Sequence, residues 1–266
     1  MSSTLDLKRL ATEIMDAYAT RTIVPSPSSR DAAFTIADAY AVEGELVRLQ
    51  QAKGRTTTGL KVGYANKAMW RALKLETLVW AHMYENTVVF SSDGVASLSI
   101  SRMTAPKIEP EIVFKVKEPI AGADPAAILA GVEWIALGFE IIDCVFPEWQ
   151  FQPADFVAAF GLHAALVVGE PRRITPDIIP TLAEQLPGFK LTLTRNGNVV
   201  EEGSGKNSLR SPALCLGELA RVATLAPGDL VSSGTLTTPT LIANGEEWKA
   251  SLDGLDLQNL TLRLTP

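Results

Sequence analysis

Lys107-Ile108-Glu109-Pro110-Glu111-Ile112-Val113-Phe114 is the stretch on which the reading of this chain turns. It reads as a β-strand, yet it carries two acids where apolar residues would be expected. A second acid-bearing stretch, Gly138-Phe139-Glu140-Ile141-Ile142, follows about one helix and one turn later. Residues i and i+2 of a strand point to the same face, so Glu109 and Glu111 project side by side. Burying unpaired carboxylates is costly, and two adjacent ones repel unless a cation or a shared proton relieves them. A divalent metal held by Glu109, Glu111 and Glu140 is the simplest reading. An all-oxygen ligand set favours a hard ion, Mg²⁺ or Mn²⁺, over Zn²⁺. The plainer alternatives are a solvated acidic strand face and, for Glu140, a buried acid paired with Lys or Arg.

Outward from these strands, the rest of the chain reads as α+β. Leu7, Leu10, Ile14 and Met15 recur at helical spacing, and a second helix is expected from Ser29 or Asp31 to about Lys53, with Ile36, Tyr40 and Val47 on one face. Val24-Pro25-Ser26-Pro27-Ser28-Ser29 separates the two helices. From Thr57 the pattern turns to short strands. Asp124-Pro125 and Ser211-Pro212 mark helix starts, and Asn196-Gly197 suits a type I′ hairpin turn between two alternating runs. The expected organisation is a helical N-terminal cap over residues 1–56 on a β-rich catalytic core over residues 57–266. No GxGxxG or P-loop occurs.

The bulk properties narrow the function. The chain has 266 residues, 47% hydrophobic and 20% charged, which is enough to bury a sizeable core. Its net charge of −6, with no basic run, argues against nucleic acid or an anionic membrane as partner. The start, Met1-Ser2-Ser3-Thr4-Leu5-Asp6, has no basic region leading into an apolar one, so no signal peptide is expected. Cys144 and Cys215 lie in apolar segments and read as inert core, consistent with a reducing cytoplasm.

Five segments in order give a more specific reading. They are Gly59-Leu60-Lys61-Val62-Gly63, the Glu109/Glu111 strand, Glu140, Gly203-Ser204-Gly205 leading to Leu209-Arg210-Ser211-Pro212, and Gly228-Asp229-Leu230-Val231-Ser232-Ser233-Gly234-Thr235. Together they resemble the fumarylacetoacetate hydrolase superfamily, in particular its 2-keto-4-pentenoate hydratase and 2-oxo-3-hexenedioate (4-oxalocrotonate) decarboxylase branch. The resemblance covers most of the chain. It implies a mixed β-sandwich roll core, an oligomeric assembly, and Glu109, Glu111 and Glu140 as ligands of Mg²⁺ or Mn²⁺. It implies Lys61 beside the metal as an acid/base or substrate-orienting group, and a cation that close should lower its pKa. Gly234 and Thr235 would meet the carboxylate end of a 2-oxo acid or 2-hydroxydienoate.

The implied activity is a metal-dependent lyase of the aromatic meta-cleavage type, decarboxylating or hydrating its substrate through a metal-stabilised enolate. Hydratases of this branch carry an acid where this chain has Val79, which tilts the reading toward decarboxylation. The family's Val-Ala-Asp-Asn segment stands here as Val157-Ala158-Ala159-Phe160, so Phe160 is expected to line an apolar pocket. A C–C bond hydrolase acting on an apolar diketo acid and a non-catalytic partner subunit of a pathway enzyme are the alternatives. Arg30 and His82 are further candidates for substrate contact; a helix-start surface arginine and a structural or lid histidine are the plainer readings. His163 reads as a packed, hydrogen-bonded strand histidine, and Trp149 and Phe151 as core aromatics that could also line the pocket.

Overall fold

The computed structural model describes residues 3–266; Met1 and Ser2, at the start of the expected cap, lie outside the described residues. Three helices come first: α1 (Leu7–Thr20), the single-turn α2 (Pro27–Arg30) and α3 (Ile36–Ala52). β1 (Thr57–Gly63), α4 (Lys67–Leu73), β2 (Val79–Tyr84), β3 (Val88–Phe90) and β4 (Val95–Ser99) follow. The long strands β5 (Lys107–Val116) and β6 (Val132–Ile142) flank α5 (Pro125–Ala130). Then come α6 (Pro153–Ala158), β7 (His163–Val168), β8 (Arg172–Arg173), α7 (Ile179–Gln185), β9 (Lys190–Arg195) and β10 (Asn198–Ser204). The chain closes with α8 (Pro212–Val222), β11 (Leu230–Ser232), β12 (Thr240–Leu241), β13 (Glu247–Asp253) and β14 (Leu260–Thr265).

The strands form two sheets. The larger runs β2-β1-β11-β5-β6-β7-β3, with β12 added to β5 and β8 to β6; the smaller runs β10-β9-β13-β14-β4. Parallel pairs (β1–β11, β3–β7, β14–β4) mix with antiparallel ones, so the fold is the expected mixed β-sandwich roll with a helical N-terminus. Alternation explains the layering. Ile108, Ile112 and Phe114 of β5 and Leu137, Phe139 and Ile141 of β6 turn to one face, sharing a core with Leu191, Trp248, Leu260 and Leu262 of the smaller sheet. The other face of β5 and β6 carries the acids. Pro110 has no N–H to give, and it falls between the β12 pairing at 107–108 and the β11 pairing at 113–115.

The hairpin expected at Asn196-Gly197 is present, with both residues at positive φ (51° and 80°). Asp124 caps α5 through the N–H groups of Ala126 and Ala127. The second long helix departs from expectation. It starts at Ile36, because Thr35 and Asp38 form a reciprocal capping box there. Its inward face is Ala39, Val42, Glu43, Leu46 and Gln50, so two polar residues sit where an apolar stripe was sought. Glu43 is buried for a reason. β2 is an edge strand, and the N–H groups of Trp80 and His82 on its open side are taken up by Tyr40 Oη and Glu43 Oε1.

The N-terminal segment is fastened to the core at Asp155. This fully buried carboxylate accepts from Ser28 N at 2.7 Å, Ser28 Oγ at 2.5 Å and Gln152 N at 2.8 Å. It therefore caps α6 and holds the 24–29 segment against it. Asp155→Ala strands two part-buried N–H donors and should lower the unfolding free energy by about 2 kcal/mol. Urea denaturation checks this, and a loss below about 0.5 kcal/mol would show the carboxylate to be incidental.

Candidate active site

The register of β5 on β6 builds the centre. Glu109 lies directly opposite Glu140, and Glu111 opposite Gly138. Directly opposed residues share a face, so three carboxylates from two strands converge. One oxygen from each can be chosen such that all lie within 4.8 Å of one another. All three residues are buried, Glu111 and Glu140 completely. β11 runs along the other side of β5, and its end supplies donors: Ser232 Oγ at 2.6 Å and Gly234 N at 2.8 Å, both to Glu111 Oε2. Gly234 has φ 88°, and a Cβ there would come within 2.6 Å of Ala65 Cβ. The turn that aims its N–H at Glu111 therefore needs glycine.

Lys61 reaches the same place from β1. Its ammonium donates to Gly161 O at 2.8 Å and lies 3.0 Å from Glu140 Oε2, almost fully buried. The Phe156 ring covers it, with the ammonium 4.6 Å from the ring centroid. Gly161, at φ 59°, permits this, since a Cβ there would meet Lys61 Cδ at 2.8 Å and Ala81 Cβ at 2.9 Å. Val79 is buried opposite Gly63 and brings no acid toward the lysine.

Electrostatics follow from this crowding. Burial, reinforced by Glu140, pushes the Glu109 carboxyl up to about 7 against the pull of Lys61. Burial, then Glu140 and Glu109, holds Glu111 well above the usual carboxylate range. For Lys61 burial alone would lower the pKa, but Glu140, Glu109 and Glu111 outweigh it and the net direction is upward. In the metal-free protein the ammonium itself is the counter-charge of the acids; the lowered value expected from the sequence belongs to the protein with a cation bound.

The residues fit a hard cation. Among the described residues, Glu111 Oε1 is buried with no hydrogen-bond partner, while its sister oxygen has two. An orphaned carboxylate oxygen facing two other carboxylates is stable only when protonated or bound to a cation. Three carboxylates suit an ion such as Mg²⁺, which commonly keeps water or substrate in its other positions.

One residue of this centre was not recognised from sequence. His163, the first residue of β7, places Nδ1 2.9 Å from Glu140 Oε1 and Nε2 2.9 Å from Thr87 Oγ1. An ionised carboxylate only accepts, so Nδ1 carries the proton in this pair. With Lys61 on the other oxygen, the Glu140 carboxylate is gripped from both sides. His163 is packed and hydrogen-bonded as expected, but sequence alone could not name its partner.

The centre opens into a cavity of about 670 Å³, lined in part by Lys61, Glu109, Gly234 and Thr235. Trp149, Phe151 and Phe156 form its aromatic side. Three expected contacts are not brought here. Arg30 is tied to Glu13 at 2.7 Å on α2, beyond the cavity. His82 alternates with Ala81 and so turns away from Lys61, with Nδ1 held 2.7 Å from Glu43 Oε1. Phe160, at φ 57°, packs edge-on against Tyr18 and Tyr84 in the core beneath the helices. Phe156, four residues earlier on α6, takes the place expected for it.

Several known proteins resemble this one. The sequence model of the fumarylacetoacetate (FAA) hydrolase C-terminal family matches residues 56–262. A 4-oxalocrotonate decarboxylase of Pseudomonas sp. (strain CF600) is 26% identical over 228 residues, 83% of each chain. A 2-oxo-hept-4-ene-1,7-dioate hydratase of Escherichia coli is 28% identical over 228 residues, 80% of this chain and 81% of its own. Among solved structures, the 4-oxalocrotonate decarboxylase from Pseudomonas putida G7, complexed with magnesium and adipate, superposes with a TM-score of 0.87 at 24% identity. It covers 99% of this chain and 100% of its own, a likeness of fold.

Two measurements test the centre. His163→Ala should weaken Mg²⁺ or Mn²⁺ binding ~10–100-fold by calorimetry, with His163→Asn restoring part of the loss; unchanged affinity would leave the histidine a packing residue. The second is pH dependence. Glu109 and Glu111 bind their protons more tightly folded than unfolded. That stabilisation is complete below the ordinary value of 4.5 and is lost as pH rises through about 7. Chelated protein should therefore lose unfolding free energy from about pH 5 to about pH 8. A rise attributable to these carboxyls over that window would contradict the assignment.

Proposed function

The chain belongs to the fumarylacetoacetate hydrolase C-terminal family, and from that footing we propose that it is a divalent-metal-dependent lyase that decarboxylates a 2-oxo acid of the aromatic meta-cleavage type. The observation that carries this reading is the convergence of Glu109, Glu111 and Glu140 beside the Lys61 ammonium, with Glu109 and Lys61 facing the cavity. Relatives named as decarboxylases and as hydratases of 2-oxo acids support the lyase class and leave the choice between the two reactions to the site.

Glu109, Glu111 and Glu140 would hold the ion, with Mg²⁺ preferred for their all-oxygen set. When bound, such an ion supplies Lewis acidity toward the C2 oxygen of a 2-oxo acid. The chain's own groups do the rest. Gly234 and Thr235 border the space where the carboxylate end of the substrate would lie, and the aromatic side keeps water from it. In decarboxylation the C–C bond to the departing carboxylate breaks, its electron pair passes through the conjugated double bond toward the C2 oxygen, and CO₂ leaves. A proton must then be returned, and Lys61, beside the glutamates and facing the cavity, is the group placed to hold it.

Val79 favours decarboxylation over hydration, because no carboxylate stands beside Lys61 on β2 to activate a water. A hydrolase would need a His/Glu pair at the substrate. Among the described residues neither His82 nor His163 lines the cavity, which weighs against that alternative.

Lys61→Ala should cut release of CO₂ from 2-oxo-3-hexenedioate by ~10²-fold or more while the protein still binds Mg²⁺. Unchanged turnover would remove Lys61 from the mechanism. Hydration of 2-hydroxypenta-2,4-dienoate with no CO₂ released from the diacid would replace decarboxylation with the hydratase reaction.

A further inference from the structure

Met69 of α4 borders the catalytic cavity, and Leu73, one turn later on the same helix face, borders a second space. Phe151 borders both. The second space is a groove of about 1120 Å³ at the seam between the N-terminal helices and the core. Val24 and Phe34 stand on its cap side, Leu75 and Pro153 on its core side. Among the described residues no carboxylate borders it, and Lys74 is its one charged residue.

Aromatic rings join the two spaces. The Phe156 ring that covers the Lys61 ammonium stands 6.4 Å from the Phe151 ring, centroid to centroid. An apolar path therefore starts beside the lysine and runs past Phe151 into the groove. The loop ahead of Phe151 is strained, since Glu148 and Trp149 are consecutive non-glycine residues in the left-handed region, with φ 52° and 59°. Strain of this kind persists where the surrounding structure enforces it, and it concentrates at ligand sites. Two large apolar side chains along the path are left in water, Met69 at 45% exposure in the first space and Ile23 at 48% in the second. Apolar surface that is exposed and contiguous marks a place where something binds.

The catalytic end says what that is. Lys61, Lys107 and Glu109 gather at the glutamate centre, and Glu201 and Glu202 approach from β10, so the cavity's charges lie off this path. The cavity alone, at about 670 Å³, is already of the size that encloses a drug-sized ligand, more than a six-carbon acid fills. We propose that cavity and groove form one site, for a substrate that carries an extended apolar alkyl or aryl group seated past Phe151. This rests on the lyase reading above, in which the 2-oxo acid end lies at the glutamates. The apolar group hangs from the conjugated chain and takes no part in bond breaking; its burial supplies affinity. Phe151 and Leu73 are then specificity-determining residues, favouring a substituted acid over the bare chain.

The test is calorimetry on the full-length, Mg²⁺-loaded protein with unreactive saturated acids of increasing length: 2-oxobutanoate, 2-oxohexanoate, 2-oxooctanoate and 2-oxodecanoate. Affinity should climb roughly threefold to fourfold per methylene while the groove is being filled. Leu73→Glu sets a carboxylate in the groove and should abolish the gain at the long end, so that 2-oxodecanoate binds no better than 2-oxohexanoate. Ile23→Glu, at a position already exposed and therefore safe for folding, should act in the same direction. Equal binding of all four acids by the unaltered protein would overturn the inference and leave the lyase reading standing. A slope that survives both substitutions would also overturn it, by placing the tail outside the groove. Binding of none of the acids would remove the lyase reading and this inference with it.

Discussion

Three carboxylates from two adjacent strands are forced into one dry volume, and most of the surrounding structure answers to that repulsion. The register that sets Glu109 against Glu140 and Glu111 against Gly138 is fixed by the apolar residues on the opposite face of β5 and β6, which are locked into the core with the smaller sheet. A slip of one residue would turn the acids into that core and the apolar side chains out of it. The cost of burying the acids is met locally. Lys61 supplies charge, while Ser232, Gly234 and His163 supply hydrogen bonds, and Glu111 Oε1 is left with none. That unmet demand is what supports the proposed cation site over a salt-bridged core.

The elements around it serve this arrangement from a distance. α6 carries Phe156 over the lysine, and Asp155, its neighbour, ties α6 to the 24–29 segment. α3 closes the open side of β2 through Tyr40 and Glu43, which keeps the edge strand in register with β1 and hence with Lys61. Among the described residues, the helical N-terminal portion therefore positions the site without lending it a side chain that reaches the carboxylates. The same division explains why Arg30 and His82, both promising as isolated residues, are used up in holding helices and an edge strand together.

What could be read from sequence was whatever depends on short-range periodicity. The two-residue spacing put Glu109 and Glu111 on one face; Asn196-Gly197 and Asp124-Pro125 carried their own backbone instructions. Glu140 stood out as an acid in an apolar strand, but its place beside the other two, like that of Lys61, came from the order of motifs, since no local pattern joins residues on separate strands. Phe160 was misplaced because it opens a run of three left-handed residues, Phe160, Gly161 and Leu162, a turn that no pattern in Ala159-Phe160-Gly161 announces. The start of α3 was hidden by its polar inward face, and His163 looked like a packed histidine because its partner lies 23 residues away.

The central claim is that these carboxylates form one divalent-cation site. It is tested most directly by electron paramagnetic resonance, titrating Mn²⁺ into chelator-stripped protein beside a Glu111→Gln variant that folds to the same circular-dichroism spectrum. The account predicts one Mn²⁺ held per chain, displaced by excess Mg²⁺, and lost or greatly weakened in the variant. Mn²⁺ that stays free in solution, or that binds equally well without the Glu111 carboxylate, would contradict it.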